Sequence, residues 1–160
     1  MLCVQINDIK KMTELLFTDD TFDKFETFQV HVKTEYETEI SGKRILKKDQ
    51  ENTESLSPYV PWKNVRPVVL RIIQGKALPE SFKIVLITDK KSTDFIIEKS
   101  GFSGSGISSF SINFNFQAGV LTVTGGVSYE SFTLDKSAET YWENTLRKFL
   151  TDKAVDFTEN

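Results

Sequence analysis

Phe110-Ser111-Ile112-Asn113-Phe114-Asn115-Phe116-Gln117, then Ala118-Gly119, then Val120-Leu121-Thr122-Val123-Thr124, is the stretch that decides the fold class. Apolar and polar residues alternate with a period of two, so Phe110, Ile112, Phe114 and Phe116 share one face of a strand while Ser111, Asn113, Asn115 and Gln117 share the other. Ala118-Gly119 supplies a turn, and Gly125-Gly126 supplies a second one into residues 127–134. The stretch predicts a three-strand antiparallel meander with one apolar face that other elements must cover.

Toward the C-terminus, Asp135 is placed to cap a helix over 136–151, in which Ala138, Tyr141, Trp142, Leu146, Phe149 and Leu150 occupy one face. Such a helix lies across the sheet, and residues 153–160 read as a frayed tail. Toward the N-terminus, a Gly and Ser loop precedes the meander. Before that loop comes a helix capped by Ser92, carrying Phe95, Ile96 and Lys99 and ending at Gly101. Residues 82–88 are almost continuously apolar, the pattern of a strand covered on both faces and hence the centre of the sheet, with Lys83 as its one exception.

Val65, Val68, Val69, Ile72 and Ile73 form the stripe of a helix near 62–74, closed by Gly75, whose first turn Pro67 makes irregular. Phe28, Val30, Val32, Thr34, Tyr36, Thr38 and Ile40 alternate strictly with polar residues and predict one long strand. It turns at Ser41-Gly42-Lys43 into a partner beginning near Arg44. A strand over 2–6 and a short helix capped by Asp8 come first, and residues 47–57 have no apolar period and read as an exposed loop. The expectation is an α+β fold, mainly antiparallel sheet, with an N-terminal hairpin, a central strand and a C-terminal three-strand meander. About four helices pack it, in a single domain spanning 1–160.

The bulk properties agree. A chain of 160 residues buries roughly 70% of its unfolded surface on folding, and 39% hydrophobic content with 13 Phe supplies a core. A net charge of −3 argues against nonspecific attraction to nucleic acid. Cys3 is the only cysteine, which excludes an internal disulfide and a cysteine-rich metal site. The first residues do not read as a secretory leader, and no run approaches the ~20 apolar residues that span a bilayer. The expected location is cytoplasmic.

Little in the chain carries chemistry. His31, the only histidine, falls on the polar face of its strand with Lys33 and Glu35, and spacing ties no nucleophile to it. Glu35, Glu37 and Glu39 lie about 7 Å apart along one strand face and do not converge on a metal. The glycines of residues 101–106 follow a helix and open a strand, the reverse of a phosphate loop, and lack its Lys-Ser/Thr. No cofactor is expected. The charge distribution says more: residues 61–106 hold eight Lys/Arg against four Asp/Glu. Trp62, Lys63 and Arg66, followed by Lys76 and Lys83, are the candidate contacts for an acidic protein or a phosphate-bearing ligand.

Pro61-Trp62-Lys63-x-x-Arg66-Pro67, Gly75-Lys76, Ser81-Phe82-Lys83-Ile84-Val85 and Phe132-Thr133-Leu134-Asp135-Lys136 resemble a family of small uncharacterised bacterial proteins across nearly the whole chain. That resemblance implies a stand-alone domain of unknown function and brings no activity, cofactor or catalytic residue with it. The functional expectation is a noncatalytic binding or protein-interaction domain. The alternatives are an enzyme without a recognisable linear motif and a structural subunit of a complex.

Overall fold

Hydrogen bonding along the Phe-rich strand recruits neighbours on both sides until seven strands form one antiparallel sheet. The computed structural model describes residues 1–46, 56–74, 79–104 and 106–160. In chain order the elements are β1 (Cys3–Ile6), α1 (Ile9–Thr13), a π-helical turn (Glu14–Thr18), β2 (Glu26–Lys33), β3 (Glu37–Ser41), α2 (Trp62–Ile73), β4 (Ser81–Ile87), α3 (Lys90–Ser100), β5 (Ile107–Gln117), β6 (Val120–Tyr129), α4 (Ser137–Asp152) and β7 (Phe157–Glu159). The spatial order is β3-β2-β4-β5-β6-β1-β7. The α+β class and the dominance of antiparallel sheet are as the alternation predicts. None of the described helices is long and apolar enough to cross a membrane.

Register aligns the side chains into rows. Val30, Ile84, Phe114, Val123 and Val4 stand beside one another across five strands, all buried, and each contributes about 1.5–3 kcal/mol by leaving water. Helices cover this face: α4 buries Ala138, Trp142, Leu146 and Leu150, and α2 buries Trp62, Val65 and Val69. The π-helical turn adds Leu15, Leu16 and Phe17. The row on the opposite face is polar, His31, Lys83, Asn115, Thr122 and Gln5.

The long alternating run is not one strand. It folds back at Thr34-Glu35-Tyr36, where the Thr34 amide donates to the Tyr36 carbonyl at 3.0 Å, and β2 pairs with β3 so that Val30 faces Ile40 and His31 faces Glu39. Because the turn holds an odd number of residues, even-numbered positions keep to one face on both sides of it. The alternation passes through the turn unbroken.

The expected third strand of the meander is absent. Gly125 and Gly126 lie inside β6 and pair with Ile112 and Ser111. Gly125 is there because α4 comes close: a Cβ at that position would meet Leu146 Cδ1 at 2.7 Å. The strand that flanks β6 instead is β1.

Four further expectations are corrected. Residues 157–159 are not frayed but form β7, hydrogen-bonded to β1. The cap of α3 is Asp89, whose carboxylate accepts from the Ser92 amide at 2.7 Å. Helices do not cover β4 on both sides, since Lys83 is exposed on its outer face. The cap position of α4 is Lys136, whose side chain makes no capping bond; Asp135, expected as the cap, lies one residue earlier and accepts from the Ser137 amide at 2.9 Å. Residues 47–55 of the expected loop and Gly75 of the expected helix end lie outside the described residues.

Candidate binding cleft

The uncovered face of the sheet is not flat. Leaving the region beside β3, residues 57–61 return along the end of β2: the Thr27 amide donates to Val60 O at 2.8 Å, Val60 N to Gly42 O at 2.9 Å, and Arg44 N to Pro58 O at 2.7 Å. Gly42 makes this crossing possible, because any side chain there would run into the Thr27 carbonyl oxygen. A bulge in β2 at Phe28 re-aims that ring toward the strap, where it packs on Tyr59 with centroids 5.4 Å apart.

The strap and the N-terminus of α3 wall a cleft of about 1070 Å³ over the ends of β2, β4, β5 and β6. This is slightly above the roughly 300–1,000 Å³ of usual small-molecule sites. Val85 and Ile87 form an apolar floor beside Ser109 and Ser111, and Glu130 lies at the β6 side. A shelf of hydrogen bonds fixes one wall. The Thr93 hydroxyl donates to the Asp89 carbonyl at 2.7 Å, the Thr88 hydroxyl bonds Thr93 at 2.7 Å, and Thr88 Oγ1 accepts from the Phe110 amide at 3.0 Å.

Glu26 is the charged residue of this wall that is taken out of water, at 8% exposure. Burial pushes its carboxyl above the usual carboxylate range, and the charge of Asp89 pushes it the same way; a hydrogen bond from Ser57 and the charge of Arg44 pull back. Arg44 is held there by donating Nε to Ser57 O at 2.8 Å.

Of the residues expected to form a site, the described ones, Trp62, Lys63, Arg66 and Lys83, do not line this cleft. Trp62 is fully buried and donates its indole N–H to Leu16 O at 2.9 Å. Arg66 is held internally by Asp23 and donates also to Phe17 O. Lys63 is exposed on α2, Lys83 is exposed on the opposite side of the sheet, and Lys76 lies outside the described residues. Among the described residues, Trp62 and Arg66 are turned to the interior while Lys63 and Lys83 are exposed on different elements. His31 Nε2 sits 3.3 Å from Glu37 and 3.9 Å from Glu39, while Cys3 is four strand positions away, about 19 Å or more. Among the described residues no group of three potential ligands is placed to hold a metal.

Sequence reading passed over Glu26, Tyr59 and Asp89. The available signal was on β4, where Val85 and Ile87 are apolar at positions that the alternation assigns to the polar face.

The fold and cleft define an antiparallel α+β structure with helices on one face of its sheet and, on the other, a cleft of mixed apolar and polar lining. The chain matches the model of the family of unknown function DUF5721 over residues 15–158 and belongs to that family. No curated protein and no solved structure matches it.

Proposed function

We propose that this protein is a noncatalytic binding domain whose ligand sits in the cleft between the 57–61 strap and the start of α3. The observation that carries this reading is Glu26, a carboxyl held out of water beside the negative charge of Asp89 at the wall of a cleft large enough for a small molecule. Keeping such a group in a fold opposes stability, and perturbed titrating groups in clefts concentrate at functional sites.

Amide chemical shifts recorded against a mixed library of small molecules test it. Perturbations should centre on Glu26, Ser57, Tyr59, Asp89 and Ser109. Binders that shift only residues outside the cleft would remove the reading.

A second reading, catalysis with Glu26 as a proton donor, is supported by the direction of its pKa shift. It predicts a ligand that is converted by the wild type, and bound but not converted by Glu26→Gln.

A further inference from the structure

Resting on the cleft as the binding site, we infer that its ligand is a small organic cation, an amine or guanidinium compound, whose charge is received by Glu26 between the rings of Phe28 and Tyr59 and the carboxylate of Asp89. Among the described residues the charge lining the cleft is mainly negative: Glu26, Asp89, Asp94 and Glu130 stand against Lys90 and Lys91. Lys90 is drawn to Asp94 at 3.1 Å. The start of α3, otherwise attractive to an anion, already has Asp89 on the Ser92 amide. An anion would meet Glu26 and Asp89 at once, whereas a cation relieves the opposition between them.

The remaining chemistry of the walls fits the same class. Phe28 and Tyr59, 5.4 Å apart and inclined at 42°, line the cleft together with Glu26, and a cation is attracted to an aromatic ring face where a neutral hydroxyl is not. Ser108, Ser109, Ser111 and Ser128 supply hydroxyls that accept from N–H donors on the body of such a compound.

Linkage adds an independent readout. Among the described residues the groups bearing on Glu26 are Asp89, Arg44 and Ser57, and a bound cation favours its ionised form. Binding then releases a proton and tightens as pH rises through the Glu26 titration.

The experiment titrates the full chain with spermidine and agmatine as cations, myo-inositol as a neutral polyol and inorganic phosphate as an anion, followed by amide shifts and by calorimetry in buffers of differing ionisation enthalpy. Expected are cleft-centred shifts for a cation, proton release, and affinity weakened about tenfold or more in both Glu26→Gln and Tyr59→Leu. Cation binding unchanged in a folded Glu26→Gln protein overturns the inference. So does cleft binding by myo-inositol or phosphate alone, which leaves the cleft as a site and removes only the ligand class. If cations shift residues only outside the cleft, both the inference and the site fall.

Discussion

Asp23 receives the guanidinium of Arg66 through two hydrogen bonds, Nε to Oδ1 at 2.9 Å and Nη2 to Oδ2 at 3.1 Å, joining the loop before β2 to the middle of α2. Both side chains are largely buried. Removing either one strands the other, so Asp23→Ala should lower unfolding free energy by about 2–3 kcal/mol in urea titrations. Arg66→Lys should lose much of the same stability, since an ammonium cannot reproduce the two-pronged geometry. An unchanged urea midpoint in both variants would show that the pair is dispensable.

Glu26 makes stability depend on pH in a definite direction. Its folded-state pKa lies above the ordinary 4.5, chiefly through burial, so the folded protein holds the proton more tightly than the unfolded chain. Its contribution is fully present below the unfolded pKa and is lost as pH rises through the folded pKa. Glu26→Gln should remove this decline, with the gap between the two proteins widening as pH increases. Parallel pH profiles would contradict the assignment.

Thr27 faces the helical side of β2 with its hydroxyl buried and without a hydrogen-bond partner among the described residues. Thr27→Val keeps the branched shape that a strand prefers and deletes the unsatisfied oxygen. A gain of about 1–2 kcal/mol is expected in thermal or urea unfolding.

The glycines of the two close approaches should differ in severity. Gly125→Ala presses on the end of a flexible side chain, Leu146 Cδ1, and should cost about 1–3 kcal/mol. Gly42→Ala drives a methyl into the Thr27 backbone. It should displace the strap, seen as loss of amide protection at Val60 and Thr27 by hydrogen exchange.

The period-two runs made the sheet legible, and Ala138, Trp142, Leu146 and Leu150 made α4 legible, because burial on one face imposes a spacing that a sequence displays directly. The β2–β3 turn was hidden because an odd turn preserves parity, and Gly125-Gly126 was ambiguous because glycine serves a turn and a close helix approach equally well. Trp62 and Arg66 resembled a surface cluster, since an aromatic and a cation on one helix look alike whether they meet a partner or the inside of the same molecule. Asp23, which decides the matter for Arg66, lies 43 residues earlier. The cleft was illegible for the same reason: Glu26, Tyr59 and Asp89 come from segments far apart in the chain, and only tertiary contacts assemble them.

β1 has a bearing on the order in which the molecule is completed. Cys3 pairs with Thr124 and Val4 with Glu159, so on the ribosome this strand waits through more than a hundred residues of synthesis before its hydrogen-bonding edges are met. The pairings among β2, β3, β4 and β5 are more local. Val4 and Ile6, buried in the finished protein, therefore have no sheet partner until the far end of the chain has been made.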